Sequence, residues 1–145
     1  MIEKIKTATK MGDPMDQHGV TLGPLAIERL TEGLRQQVRD SITQGARLVQ
    51  GSLEVPDHLK HHGGNFFEPL VLENIKPNTR AYCEELFGPV FSLYSVSSDD
   101  QAIDLANDSE YGLGAALFTK DIEKAERLAR RLDAGMLYVN DFVQS

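Results

Sequence analysis

The spacing of apolar side chains along the chain predicts an alternation of helices and strands. Between residues 24 and 45, apolar residues recur every three or four positions and form one stripe along a helix. The stripe consists of Ile27, Leu30, Leu34, Val38 and Ile42. Pro24 suits the first turn because its missing N–H would have no partner there, and Gly45 is placed to end the helix. A short strand is predicted at residues 46–49.

The beginning of the chain and the stretch around residue 60 are less regular. Residues 2–11 predict a short helix that ends at Gly12-Asp13-Pro14, because a helix does not easily pass a proline. Residues 51–65 are polar and glycine-containing, which predicts a surface loop. Residues 66–72 predict an extended segment. Pro69 favours an edge or irregular strand there, since it cannot donate a ladder hydrogen bond.

The second half of the chain has the most regular pattern. β-favouring apolar residues predict strands at 90–96, 114–118 and 136–139. Two helices are predicted between these strands. Ser98 and Gln101 form a capping box for the first, Asp121 caps the second, and Gly135 ends it. Short connections and nearly continuous apolar strands indicate an α/β fold, a mostly parallel sheet with helices on both faces.

Composition narrows the class of protein. The 145 residues suffice for one domain, and 41% apolar with 26% charged residues is typical of soluble globular proteins. A net charge of −7 disfavours nucleic-acid and anionic-membrane partners, which would repel the chain. No apolar run approaches a membrane span, and the first residues lack the apolar stretch of a signal peptide. One cysteine fits a reducing compartment, so we expect a cytoplasmic protein.

Two groups of residues resemble reactive or metal-binding sites only superficially. Cys83 could act as a nucleophile, but the two glutamates that follow it disfavour the thiolate, so we predict that it is not catalytic. The histidines of the polar loop have no cysteine companions and no recognised ligand spacing, so we predict no metal site. These histidines are His58, His61 and His62. The Gly112-Leu113-Gly114 stretch lacks the third glycine of a dinucleotide fingerprint and leads into a strand.

The most unusual feature is the sequence Glu-Glu-Leu-Phe-Gly-Pro-Val at residues 84–90. Two adjacent acids, a phenylalanine and Gly-Pro stand directly before a predicted strand. One interpretation is an ordinary helix end and turn, with Phe87 in the core. The other is a functional segment, and residue chemistry alone does not decide between them.

This run resembles a signature of the aldehyde dehydrogenase superfamily, and further blocks follow in the order found in that family. These blocks are Met11-Gly12-Asp13-Pro14, Leu22-Gly23-Pro24-Leu25, Gln44-Gly45-Ala46, Glu68-Pro69-Leu70-Val71-Leu72, Tyr111-Gly112-Leu113, Phe118-Thr119-Lys120-Asp121 and Gly135-Met136-Leu137-Tyr138-Val139-Asn140. The resemblance covers essentially the whole chain and is strongest to bacterial succinate-semialdehyde dehydrogenases. It implies that residues 1–145 form a single partial catalytic domain.

The resemblance also implies roles for particular residues. Glu85 matches the glutamate that hydrogen-bonds the nicotinamide ribose hydroxyls of NAD or NADP, a task suited to a carboxylate because it only accepts hydrogen bonds. Phe87 matches the phenylalanine that packs near the nicotinamide. Ser145 matches a serine that helps to hold the carboxylate of succinic semialdehyde, and residues 141–145 would line the aldehyde tunnel. Cys83 does not stand at the position of the family's nucleophile.

Several parts of the family's enzymes have no counterpart in these 145 residues. They are the dinucleotide-binding domain, the cysteine nucleophile, the glutamate general base and the C-terminal oligomerisation strand. We therefore expect the full-length enzyme to oxidise succinic semialdehyde to succinate with NAD or NADP. The 145 residues alone are expected to be inactive and to bind no cofactor.

The expected partners are a small aldehyde, the missing N-terminal half, and a second copy that covers exposed core surface. The alternative is a non-catalytic binding module that has kept the fold.

Overall fold

The computed structural model of the chain describes residues 2–16 and 19–143, and these form two compact units that divide between Tyr94 and Ser95. The elements of unit 1 are α1 (Ile2–Ala8), α2 (Glu28–Thr43), β1 (Arg47–Gln50), a 3₁₀ helix (Asp57–His62), β2 (Leu70–Glu73), α3 (Arg80–Cys83) and β3 (Val90–Ser92). Those of unit 2 are α4 (Asp99–Asn107), β4 (Gly114–Leu117), α5 (Ile122–Ala129) and β5 (Met136–Val139). No helix among the described residues is long and apolar enough to cross a membrane.

The sheet of unit 1 has the strand order β1-β2-β3, with β2 in the centre. Strand β2 pairs antiparallel with β1 and parallel with β3. The prediction that Pro69 marks an edge or irregular strand is wrong for this segment. Pro69 lies immediately before β2, so its missing N–H costs no bond in the ladder, and the first ladder donor is Leu70, whose N–H bonds to Pro89 O at 2.9 Å.

Helix α2 packs Leu34, Val38 and Ile42 of the predicted apolar stripe against the core of unit 1, whereas Ile27 lies before the helix and is 46% exposed. Leu34 and Val38 are almost fully buried, in one cluster with Leu70 and Leu72 of β2. The helix begins four residues after Pro24, since the N–H of Leu25 bonds to Asn65 O and Ile27 is extended. It ends near Gly45, whose φ of 109° favours glycine.

The segment predicted as a loop at 51–65 contains the 3₁₀ helix, which buries Leu59. Gly51 starts the segment with a φ of 86°, and a Cβ there would collide with Pro69 O and with the side chain of Leu70. A glycine is therefore required at this close approach between β1 and β2.

The two strands of unit 2, β4 and β5, pair in parallel across the connection that contains α5. Asp121 caps α5 by accepting a hydrogen bond from the N–H of Lys124 at 2.9 Å. Ser98 caps α4 by accepting from the N–H of Gln101 at 3.1 Å, while the Gln101 side chain accepts from the N–H of Ser97 rather than of Ser98. The two predicted N-terminal caps are confirmed, with the return bond of the capping box moved by one residue. The prediction that Gly135 ends α5 is wrong, since the helix ends at Ala129 and Gly135 directly precedes β5.

The predicted α/β class with mostly parallel pairing is confirmed in the described residues, where β2-β3 and β4-β5 are parallel and β1-β2 is antiparallel. The strands lie in two sheets, and β3 is shorter than predicted. It ends at Ser92 because β2, its partner, is only four residues long, and the last bond between them runs from the Leu93 N–H to Leu72 O.

We expect Leu34→Ala to lower the free energy of unfolding of unit 1 by about 2–5 kcal/mol, the range for leucine truncation in a packed core. Leu34 is 2% exposed. Urea unfolding followed by far-UV circular dichroism would measure the loss. Leu113→Ala removes the same atoms at a position that is 74% exposed and is the matched control. An equal effect of the two substitutions would contradict the placement of Leu34.

Candidate active site segment

Residues 84–87 form an extended segment directly after α3, and their side chains alternate between the interior and the solvent. Glu84 and Leu86 are partly buried, whereas Glu85 and Phe87 are exposed. Successive side chains of an extended chain point to opposite sides, so Glu85 and Phe87 share the outer face. Phe87 is 68% exposed, so the interpretation that places it in the core is wrong.

The carboxylate of Glu84 faces α2, and both of its oxygens accept hydrogen bonds. Arg80, four residues earlier, donates two hydrogen bonds to it, at 2.7 and 2.8 Å. The side-chain amide of Gln37 on α2 donates a third, at 2.8 Å, to one of the same two oxygens. This arrangement of parallel bonds from one guanidinium fixes the orientation of the carboxylate as well as its position.

Arg80 also reaches back to α2 and joins two acids. Its third nitrogen donates to Asp40 at 2.7 Å. Hydrogen bonds from Arg80, then from Gln37, lower the pKa of Glu84; those from Arg80, then from Gln36, lower the pKa of Asp40. The same bonds to Glu84 and Asp40 raise the pKa of Arg80.

The backbone of α3 is fixed to α2 by two further side chains. Ser41, which is fully buried, accepts a hydrogen bond from the N–H of Ala81 at 2.8 Å and donates one to Gln37 O at 2.7 Å. Gln44 accepts from the N–H of Arg80 at 2.9 Å. The start of a four-residue helix leaves N–H groups without partners, and Ser41 of α2 and Gln44, the residue after α2, supply acceptors for two of them.

After Phe87 the chain passes closely over α2. A Cβ at Gly88 would collide with the Cδ2 methyl of Leu34, so any larger residue would force this buried side chain to shift. Leu86 is partly buried and packs against the core cluster. The residues on both sides of Phe87 therefore contact the core of unit 1.

The outer face of the segment borders a pocket of about 320 Å³ between α2 and residues 85–87. Its lining comprises Arg29, Leu30, Gly33, Leu34, Gln37, Arg80, Glu85 and Phe87. Among the described residues, no group hydrogen-bonds the carboxylate of Glu85. An acceptor with free capacity beside an exposed aromatic ring fits a ligand that combines hydroxyl groups with a flat ring.

The family model of the aldehyde dehydrogenase family matches residues 1–145, the whole chain. The chain belongs to the aldehyde dehydrogenase family. It is 46% identical over 129 residues to a succinate-semialdehyde dehydrogenase [NADP(+)] of Deinococcus radiodurans, which covers 89% of this chain and 26% of that enzyme. It is 40% identical over 138 residues to a succinate semialdehyde dehydrogenase [NAD(P)+] of Escherichia coli, covering 95% of this chain and 29% of that one.

Solved structures of aldehyde dehydrogenases agree with the fold. A betaine aldehyde dehydrogenase of Staphylococcus aureus, determined in complex with NAD+, superimposes with a TM-score of 0.90 at 35% identity, over 99% of this chain and 28% of that one. A succinic semialdehyde dehydrogenase of Streptococcus pyogenes in complex with NADP+ gives 0.88 at 35% identity, over 99% and 30%. The chain thus spans between a quarter and a third of the length of these relatives.

The pocket fits the cofactor that the family resemblance implies. A ribose offers adjacent hydroxyls to the Glu85 carboxylate, and a nicotinamide offers a flat ring to Phe87. The structure thus brings these two predicted residues together on one face. Their roles remain predictions. The third predicted residue, Ser145, lies outside the described residues, as does Gln144 of the proposed tunnel loop.

The remaining reactive side chains lie apart from this pocket's lining. Cys83 is exposed, and its Sγ donates to Pro77 O at 3.1 Å. The ring centres of His61 and His62 lie 4.0 Å apart with the ring planes tilted by 38°, and His62 Nδ1 lies 3.6 Å from an oxygen of Asp13. Within residues 2–16 and 19–143, no three histidine, cysteine or acidic side chains are grouped to hold a metal ion.

Sequence reasoning missed the group that supports the segment. The four-residue spacing of Arg80 and Glu84 on a short helix could have suggested their pairing. The contributions of Gln37 and Asp40 had no such signal, because each lies 40 or more residues from its partner.

We expect acid to destabilise unit 1 through Asp40 and Glu84. Folding lowers the pKa of both groups, so their contribution is complete above the usual values of 3.8 and 4.5 and is lost as the pH falls through the lower folded values. Arg80→Gln removes the main cause and should make unfolding less dependent on pH in this range. Arg39→Gln, an exposed residue of α2 outside this group of side chains, is the control.

Urea titrations at neutral pH and at about pH 3 would measure the dependence for each variant. An Arg80→Gln chain that loses as much stability on acidification as the original would refute this assignment.

Proposed function

We propose that this chain forms the nicotinamide-ribose side of an NAD(P)-dependent aldehyde dehydrogenase that oxidises succinic semialdehyde to succinate. The observation that carries the proposal is that one pocket is lined by the exposed Phe87 ring and by the Glu85 carboxylate, which has no hydrogen-bond partner among the described residues. When bound, NAD or NADP would supply the hydride acceptor for the aldehyde. The partial catalytic domain would include residues 1–145.

In this proposal each of the two residues has a separate task. The Glu85 carboxylate accepts hydrogen bonds from the ribose hydroxyls and fixes the sugar. The ring of Phe87 contacts the nicotinamide and limits its rotation. Both act by orientation, which speeds a reaction between two bound molecules because their encounter geometry is fixed in advance.

The choice of substrate is supported by the two succinate-semialdehyde dehydrogenases from Deinococcus radiodurans and Escherichia coli. Betaine and amino aldehyde dehydrogenases share 35–38% identity with the chain, so the family supports an aldehyde more firmly than this particular one. We keep Ser145 as the proposed contact to the carboxylate of succinic semialdehyde. Either NAD or NADP is compatible with Glu85 and Phe87, because these residues would contact the nicotinamide and its ribose, which both cofactors contain.

The remaining part of the proposal concerns partners. Phe118 and Phe142 of unit 2 are 63% and 75% exposed, with ring centres 6.0 Å apart. Exposed aromatic groups of this kind favour contact with further polypeptide. We propose that the family's remaining segments or a second copy cover them, in the cytoplasm. The same rings favour the alternative function, a non-catalytic interaction module.

Replacing the matching segment of the Deinococcus radiodurans enzyme by this chain tests the cofactor role. The chimera should reduce NAD or NADP when given succinic semialdehyde. Glu85→Gln should raise the cofactor KM about tenfold or more, since a hydrogen bond to a charged group contributes about 1.5–3 kcal/mol. The KM for the aldehyde should change little. Absorbance of the reduced cofactor measures both.

Glu54→Gln, the same change at an exposed residue remote from the pocket lining, is the matched control. An unchanged cofactor KM in Glu85→Gln would contradict the proposed site. A chimera that binds the cofactor and oxidises other aldehydes, but not succinic semialdehyde, would contradict the proposed substrate and not the proposed cofactor site.

The 145-residue chain by itself is expected to give no turnover and no cofactor binding. The assay supplies succinic semialdehyde with NAD or NADP and follows reduction by absorbance, for the original chain and for Cys83→Ala. The expected result is the same baseline for both chains. Turnover that disappears in Cys83→Ala would instead make Cys83 a nucleophile and overturn our assignment of it as non-catalytic.

A further inference from the structure

We propose that Gln37 is a positioning residue for the cofactor site, whose side-chain amide fixes the backbone from which Glu85 and Phe87 project. This inference rests on the proposed function and adds to it a residue of a different element, α2. It concerns how the acceptor carboxylate is aimed, not which group it accepts from.

Gln37 contacts both a side chain and the main chain of the segment. Its Nε2 donates to the Glu84 carboxylate at 2.8 Å and to the backbone carbonyl of Glu85 at 3.2 Å. One amide thus uses both of its hydrogens, one on a side chain and one on the main chain. The second bond fixes the peptide plane that follows the Cα of Glu85.

Arg80 cannot perform this task alone. It holds the carboxylate of Glu84, but the rotatable bonds of that side chain separate the carboxylate from the backbone. Among the described residues, only Gln37 donates a hydrogen bond to the main chain of Glu85. No described residue hydrogen-bonds the Glu85 carboxylate. The direction of this side chain therefore depends on the backbone that carries it.

The helix that carries Gln37 is a firm support. The neighbouring turns of α2 bury Leu34 and Val38 in the core, and the Gln37 carbonyl accepts from the buried Ser41 hydroxyl at 2.7 Å. A side chain on such a helix has a fixed position and can hold the backbone to which it bonds in place. A preorganised binding site usually requires support of this kind.

Two substitutions separate the donor from the bulk of the side chain. Gln37→Met keeps length and helix propensity and removes both hydrogen bonds. Gln37→Lys keeps length and restores a donor that can reach a carboxylate or a carbonyl. Arg39→Met, at an exposed position on the same helix and outside the pocket lining, is the matched control.

The first test uses the complete 145-residue chain without cofactor. Amide ¹⁵N relaxation of Glu85 and Phe87 should give order parameters of about 0.85 in the original chain. In Gln37→Met these order parameters should fall toward about 0.6. Gln37→Lys and Arg39→Met should keep the original values. Because no cofactor is present, a direct contact between Gln37 and the cofactor cannot produce this pattern. Unchanged order parameters in Gln37→Met would overturn the proposal.

The second test measures the consequence in the chimeric enzyme. Gln37→Met should raise the cofactor KM about three- to tenfold, the effect of losing one neutral hydrogen bond, with the aldehyde KM unchanged and with recovery in Gln37→Lys. If Glu85→Gln weakens the cofactor but Gln37→Met does not, the positioning role is wrong and the proposed function stands. If neither does, the proposed function fails at its site.

Discussion

Burial of strand β2 is the constraint on which unit 1 depends. Leu70, Val71 and Leu72 are completely buried, and a strand buried on both faces needs cover above and below as well as a partner on each edge. The edges are taken by β1 and β3, and the apolar stripe of α2 packs on the same cluster. Because α2 is fixed by this burial, every polar side chain that it presents toward α3 has a defined position.

The polar group between α2 and α3 orients more than it stabilises. The side chains of Arg80, Asp40 and Glu84 are each about one-third exposed or slightly more, so water screens their attraction. Their value lies in directional bonds, because a guanidinium that meets two carboxylates at 2.7 Å permits few arrangements. Apolar burial thus supplies the stability of unit 1, and charged hydrogen bonds set the direction of the segment at residues 84–87.

Local signals in the sequence predicted the local features well. The stripe of α2 and the caps at Ser98 and Asp121 depend on residues within one or two helical turns, and the structure contains them. Features set by distant residues were missed. Pro69 was interpreted as an edge signal because the sequence does not reveal that Pro89 accepts the first ladder bond.

The exposure of Phe87 shows the same limit. An aromatic residue before a strand is usually buried, and only the extended path after α3 turns this ring outward. The family resemblance predicted Glu85 and Phe87 together, whereas their common face follows from backbone geometry. Gln37 lay beyond either method, since its partners are 47 and 48 residues away.

The two adjacent glutamates show how one sequence feature divides into two physical tasks. Glu84 and Glu85 are chemically identical, but the extended backbone turns one toward α2 and the other toward solvent. Both carboxylate oxygens of Glu84 accept hydrogen bonds from Arg80 and Gln37, and these bonds fix the carboxylate against α2. The Glu85 carboxylate keeps its acceptor sites because no described group competes for them. Glu84, which is bonded to α2, therefore anchors the backbone from which the Glu85 carboxylate points toward solvent.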